Sequence, residues 1–433
     1  MPMNRLDLLG SGETGMLAKG IVMRGAAGMA MTVAVVLFAG EARTVRAGVL
    51  DLEGALARAR SESPSLRVAA TEVEAARGRL SQARLFPSNP VLSGDVGRHT
   101  GPEGEQIDRG VSLAQEIEVG GQRGLRVGAA GYDVAHAEHA FADRRRLVEA
   151  EVRRAFFSVA AIERRRVLAT EAVALADRIA DTARRRAHAG DVGALDVRLA
   201  EVETARAAQT LAAAESERAA AVARLAAVLG APPEETIDVS AEERAPSPLP
   251  PESTLVERAL ATRPDLVGAR EERTRLEAEA GLVHRRGLVP NPVLRGFYRE
   301  EFFNERIAGG EVSIPLPVWN REQGTEATLR AQAAGAAAEV SRLLSEIPRQ
   351  VHVALVRRTV AAETWTRYRD AALPATNRAR ADIERAFAAG YLGLPEVLVQ
   401  QDRLLQVQGA AIDTWRELNL AESDLIEALG ESP

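Results

Sequence analysis

The sequence contains no cysteine, few aromatic residues (4%), and no long hydrophobic run beyond Ala26–Gly40. Without cysteine there can be no disulfide, thiolate metal site or cysteine nucleophile, and no N-terminal lipid carried on a thiol. The shortage of Phe, Tyr and Trp argues against one large globular core. Hydrophobic residues still make up 46% of the chain, and Ala, Leu, Arg and Glu dominate, as in long helices and coiled coils. Charge of neither sign prevails: 55 basic and 61 acidic residues leave a net charge of −6. That balance excludes the basic stripe of a nucleic-acid binder, so no nucleic-acid partner is expected.

What is present begins with a processing signal. Lys19 and Arg24 precede the uncharged run Ala26–Gly40, and Val45-Arg46-Ala47 offers a small-x-small cleavage site. Residues 1–47 are therefore expected to be a secretory signal peptide. The run falls short of the roughly 20 residues a membrane-spanning helix needs. If the mature chain enters a membrane, it must do so with strands.

The rest of the chain reads as one unit written twice. Ser63-Pro64-Ser65-Leu66 matches Arg263-Pro264-Asp265-Leu266, and Asn89-Pro90-Val91-Leu92 matches Asn291-Pro292-Val293-Leu294. Val111-Ser112-Leu113 matches Val312-Ser313-Ile314, Ala189-Gly190 matches Ala389-Gly390, and the LAAVLG run ending at Gly230 matches LIEALG ending at Gly430. Pro87 also matches Pro290, and the order is the same throughout, at an offset of 200 to 203. Periods of this kind are sought first because missing one misreads the fold.

Repeat 1 is expected over 48–230. It has a helix over 52–85 stopped by Pro87 and Pro90, a β-hairpin 91–119, a long helix 121–189, a turn at 190–193 and a return helix 195–229. In the second strand Val111, Leu113, Ile117 and Val119 alternate with Ser112, Ala114, Glu116 and Glu118, which predicts one apolar and one polar face. From Val148 to Ala187, steps of four and three fall on apolar residues except at Arg166, as in a coiled-coil seam. The helix would be roughly 100 Å long. Residues 231–253 read as an irregular linker packed outside the main body. Repeat 2, 254–433, is expected to hold a helix to 288, a hairpin 293–318 with strands near 293–303 and 311–318, a helical stretch 324–389 and a return helix 395–429. Pro348 and Pro374 should bend or break its long stretch. Four strands cannot close a barrel, and unpaired backbone groups in lipid cost several kcal/mol each, so several chains must pool strands. Three chains would supply twelve strands and twelve helical rods.

The joint Gln115-Glu116-Ile117-Glu118-Val119-Gly120-Gly121-Gln122-Arg123, its counterpart from Ser313 to Gly324, and the Asn-Pro corners carry a resemblance. Over essentially the whole mature chain the sequence resembles the TolC-type outer-membrane factors, closest to their cobalt–zinc–cadmium efflux branch. The resemblance implies a mostly α fold with a membrane β-barrel: a homotrimer whose 12-stranded barrel continues into a 12-rod helical barrel in the periplasm. It implies a passive duct for heavy-metal cations, set in outer-membrane lipid and docked through a periplasmic adaptor to an inner-membrane transporter of the RND type. The other cargo readings are antibiotics and type I secretion; a soluble periplasmic coiled-coil adaptor is the reading from another class. Nothing suggests an enzyme, a cofactor or a catalytic residue.

The helix-reversal tips hold the candidate docking residues: Val192, Gly193 and Ala194 in repeat 1, and Leu392, Gly393 and Leu394 in repeat 2. Val192, Leu392 and Leu394 are expected to be exposed apolar groups awaiting the adaptor, or else to staple turns whose glycines supply positive φ. Asp196 and Glu396 either complement the helix N-termini or ring a periplasmic aperture that attracts cations. His136 and His139, three apart on a helix, lack a third metal ligand and are expected on a solvated face. The clusters Arg144–Arg146, Arg164–Arg166 and Arg184–Arg186 are expected to be solvated beside acidic partners or to pack between protomers. The prolines mark repeat 2 as the half that moves if the tunnel gates.

Overall fold

The computed structural model describes residues 49–430 except 103, 233–234 and 302–304. The expected signal segment, 1–47, lies outside the described residues. The first half runs α1 Leu52–Glu62, α2 Pro64–Arg84, β1 Val91–Gly101, β2 Gly104–Glu116, α3 Gln122–His188 and α4 Ala194–Leu229. The second half runs α5 Glu252–Thr262, α6 Pro264–Leu288, β3 Val293–Glu301, β4 Glu305–Ser313, α7 Gln323–Arg367, a π-helical turn Tyr368–Ala372, α8 Leu373–Ala388 and α9 Leu394–Leu429.

Several boundaries differ from the sequence reading. The opening helix of each half is two helices, because Pro64 and Pro264 start new helices at the position where a missing N–H costs nothing. Asp51 caps α1 by accepting from Gly54 N at 2.8 Å. The first hairpin ends at Glu116, not 119. The fourth strand occupies 305–313 rather than 311–318. Pro315 and Pro317 cannot donate to a ladder, and Gly309-Gly310 concealed the strand from propensity. Phe297, paired with Gly309, lays its ring where a side chain at 309 would stand, 2.6 Å from that Cβ position. Pro348 does not interrupt α7; the carbonyl it leaves free belongs to Leu344, which faces solvent. The break comes instead at the π-helical turn, with Pro374 opening α8.

The long seam is buried on one side. Val148, Val152, Val159, Ala169, Ala176, Ala180 and Ala183 are all buried, and no seam residue is exposed. Residues 200 apart take matching places in two separate clusters. Ala59, Leu66, Leu225 and Leu229 pack with Val148 and Val152, while Ala259, Leu266, Leu425 and Leu429 pack with Ile347 and Val351. A third cluster ties the halves: Ala160 and Ala161 of α3 meet Trp365 of α7 and Trp415 of α9. Arg164 lies over the Trp415 ring, 3.7 Å from its centroid. Burial of a Trp removes about 150–250 Å², an upper bound of roughly 4–6 kcal/mol. Residues 237–240 of the linker lie against this body: Leu50 N donates to Asp238 O (2.8 Å), Ser240 N donates to Leu50 O (3.0 Å), and Ile237 is buried.

The strands form one antiparallel sheet in the order β1-β2-β3-β4. Its register puts Leu92, Val96, Ile107, Val111, Leu113, Leu294, Tyr298 and Val312 on one face, with Arg98 and the cross-strand pair Arg109 and Glu300 among them. Ser93, Asp95, His99, Gln106, Asp108, Ser112, Arg295, Arg299 and Glu311 share the other. Among the described residues β1 pairs only with β2 and β4 only with β3, leaving two open edges. Strands of nine to thirteen residues suit the roughly 9–11 that cross a bilayer at a tilt.

Candidate functional site

Two regions carry the features a duct needs: the helix-reversal end and the polar face of the sheet. At the first reversal α3 closes with Gly190 N donating to Ala187 O (3.1 Å) and Asp191 N to Arg186 O (2.9 Å). The second repeats it, Gly390 N donating to Phe387 O (3.1 Å) and Tyr391 N to Ala386 O (2.9 Å). The residues with positive φ are Gly190 (83°) and Gly390 (79°). Gly193 and Gly393, expected in that role, have φ of −82° and −73° and cap α4 and α9 in extended conformation. The turn needs its left-handed residue where the helix ends, one step after the last helical carbonyl.

The two tips lie against each other. Leu175, Ile179, Ala180 and Ala183 of α3, Ala200 of α4, Phe387 of α8, and Leu394 and Val397 of α9 form one cluster. Leu394, expected to be exposed, is 4% exposed and belongs to this core. Val192 and Leu392 are half-buried, and Gly193, Ala194 and Gly393 are exposed. The exposed apolar groups are instead Tyr391 (85%) and Leu195 (67%). Both lie in the tip segments, and neither is among the docking candidates read from the sequence. Their one signal was position, adjacent to the turn glycines.

Glu396 accepts a hydrogen bond from Gly393 N at 2.8 Å, capping α9; the glycine has no side chain to return the bond. Among the described residues its other carboxylate oxygen accepts no protein hydrogen bond, and the residue is exposed. Asp196 is half-buried in the first turn of α4. Above the tips, α8 buries only Thr376 and Phe387. Ion pairs hold it to α3: Arg380 with Glu171 at 3.1 Å and Arg178 with Glu384 at 3.9 Å. Exposed pairs of this kind contribute about 0–1 kcal/mol each.

On the polar face of the sheet the first hairpin is acidic. Asp108 lies 3.9 Å from His99. The Asp95 carboxylate covers residue 110, 2.6 Å from where a Cβ would stand, so a side chain there would have to push it aside. The second hairpin mixes both signs, with Arg295 3.6 Å from Glu311 and Arg299 over Phe297.

His136 and His139 are half-buried, not solvated: the His136 Nδ1 position donates to Gly268 O at 2.9 Å and His139 packs on Gly268. Among the described residues no group of three or more metal-ligating side chains is brought together. The arginine clusters divide. Arg145, Arg165, Arg166 and Arg184 pair with Glu149, Asp413, Glu163 and Asp181, as expected of solvated faces. Arg146 is buried and donates to Glu427 O at 2.6 Å, and Arg164 stacks on Trp415.

Comparison with known proteins agrees with this architecture. The family described as outer membrane efflux protein matches residues 55–231. The cobalt-zinc-cadmium resistance protein CzcC of Cupriavidus metallidurans is 31% identical over 366 residues, covering 84% of this chain and 85% of its own. The fold is similar to the Campylobacter jejuni CmeC outer membrane channel, with TM-score 0.73 and 16% identity, over 88% of this chain and 85% of that one. It is also similar to the Vibrio cholerae outer membrane protein VceC, with TM-score 0.69 and 18% identity, over 88% and 96%.

Proposed function

The chain belongs to the outer membrane efflux protein family, and from that premise we propose that it is the passive, homotrimeric duct of a tripartite pump exporting divalent heavy-metal cations. The family is one of efflux proteins and acts at the outer membrane. The observation that carries the assembly is the sheet. It has a mainly apolar face, a mainly polar face and two open edges. In lipid each unsatisfied edge group costs several kcal/mol, which only closure with other copies removes. Three copies pool twelve strands. The polar face then lines water and the helices continue the duct toward the periplasm.

Identity to a cobalt-zinc-cadmium resistance protein along nearly the full length of both chains supports the metal cargo. Asp95 and Asp108 on the polar face suit cations, and so does the exposed carboxylate of Glu396 at the tip. The tips, with Val192, Gly193, Ala194, Leu392 and Gly393 around exposed Tyr391 and Leu195, are the surface for a periplasmic adaptor that connects to an inner-membrane RND transporter. Leu394 supports that surface from beneath. The chain itself catalyses nothing.

Deleting the chain from its host should raise sensitivity to cobalt, zinc and cadmium and leave antibiotic sensitivity unchanged. The reverse pattern would overturn the cargo and keep the duct. On gels without heating, the purified protein should run as an oligomer that boiling dissociates. A monomer under mild detergent would remove the duct reading itself.

A further inference from the structure

The four joints between strands and helices share a property that closing a barrel does not require. Phe86, Val119, Leu288, Leu316, Val318 and Trp319 are all exposed, Trp319 at 88%. In sequence parity Val119 continues the outward series of β2 (Ile107, Val111, Leu113), and Leu316 and Val318 continue that of β4 (Val312). The apolar surface therefore runs past the last ladder pairs into the joints. Beside it stand Arg84, Arg123, Arg285, Arg286 and Arg321, none of which forms an ion pair with a carboxylate among the described residues. Arg123 Nη2 donates to Arg84 O (3.3 Å) and Arg321 Nε to Pro317 O (2.9 Å), which holds both guanidinium groups at the joints. Their neighbour Arg126 is spoken for, paired with Glu118 at 2.6 Å.

The charge is local. Residues 84–90, 115–126, 284–292 and 314–324 carry six arginines against three glutamates, on a chain of net charge −6. The hairpin ends, 98–105 and 299–306, carry three arginines against five glutamates. We propose that the joints form a collar that binds anionic glycerophospholipids of the periplasmic leaflet. The apolar residues enter the acyl region, Trp319 sits at the interface, and the arginines take the headgroup phosphate through forked, charge-assisted hydrogen bonds. Apolar and cationic groups side by side select an acyl chain carrying net negative charge, which neither free phosphate nor a zwitterionic lipid supplies. The proposal rests on the outer-membrane placement above.

Trp319 is its own probe, because Trp365 and Trp415 are 2% and 1% exposed. The full chain in neutral detergent is titrated with short-chain phosphatidylglycerol or phosphatidylcholine of the same chains. Emission is read against a Trp319→Phe background. Phosphatidylglycerol should bind about tenfold more tightly, and joint replacement of Arg84, Arg123, Arg285 and Arg321 by Gln should reduce that preference to about twofold or less. Equal binding of the two lipids by the wild type overturns the proposal, and that comparison needs no variant. So does an undiminished preference in the assembled fourfold variant. Competition by inorganic phosphate or lipid A as strong as by phosphatidylglycerol would also overturn it. So would failure of brominated lipids to quench Trp319 in reconstituted oligomers, since a neighbouring copy would then cover the collar. Absence of the lipid preference in the wild type, with its metal resistance intact, would refute the collar and leave the duct standing.

Discussion

Val111 and Ser112 are consecutive in β2 and should respond oppositely to arginine. Val111 lies near mid-strand on the apolar face, opposite Gly94 of β1 and Tyr298 of β3. Ser112 lies on the polar face, opposite Ser93 and Phe297. β2 is paired on both sides, so it cannot escape by slipping one residue without turning every side chain over. Arginine at the bilayer midplane on a lipid-facing position costs about 2–4 kcal/mol. Three copies in the proposed barrel would raise this to about 6–12 kcal/mol if the sites are independent, comparable with the roughly 5–15 kcal/mol that separates folded from unfolded proteins. Val111→Arg should therefore leave little oligomer in outer-membrane fractions on unheated gels. Ser112→Arg should assemble in wild-type amounts, with lower cation selectivity in planar bilayers because it adds positive charge beside Asp95 and Asp108. If Val111→Arg assembled normally and Ser112→Arg did not, the faces would be reversed and the register argument wrong.

Gly190→Ala places a side chain at φ 83° but in open space, whereas Gly230→Ala, at φ 74°, sets a Cβ 2.7 Å from Glu62 O. The first should cost about 1–2 kcal/mol and the second about 2–5 kcal/mol; equal shifts in thermal denaturation would contradict the packing of α4 on the α1–α2 break. Burial pushes the Asp265 carboxyl up, but the hydrogen-bonded charge of Arg263 outweighs it and holds the group below its ordinary 3.8. A carboxylate depressed by folding stabilises above its ordinary value and loses that contribution as pH falls, so Asp265→Asn should flatten the acid limb of melting temperature below about pH 4; a limb as steep as wild type would rule the pair out as its source. With no native cysteine, Tyr391→Cys joined between protomers should stop transport while Asp191→Cys joined the same way should not; equal block by both would remove the distinction between moving and static halves.

The elements that were legible in the sequence rest on local, periodic signals. The seam from Val148 to Ala187 repeats over many turns, so α3 follows from its spacing, and Gly190 and Gly390 end long helices where a left-handed residue is needed. The misplaced elements depend on residues distant in the chain. β4 contains Gly309 and Gly310, and its place is secured by Phe297 across the ladder. The exposure of the tip residues was misjudged for the same reason: Leu394 looked like a free turn residue because its cover, Leu175 and Ile179, comes from the other half of the chain.

The duplicated unit, the long helices, the hairpins and the small-residue seam were thus determined by the sequence itself, because each is a repeated spacing of side chains along one element. Tertiary structure decided which tip residues face solvent, that buried Phe387 together with surface ion pairs holds α8 to α3 and that the two hairpins share one sheet with distinct faces and open edges. Those outcomes depend on what the opposite half brings within a few ångströms, and no pattern within one segment encodes it.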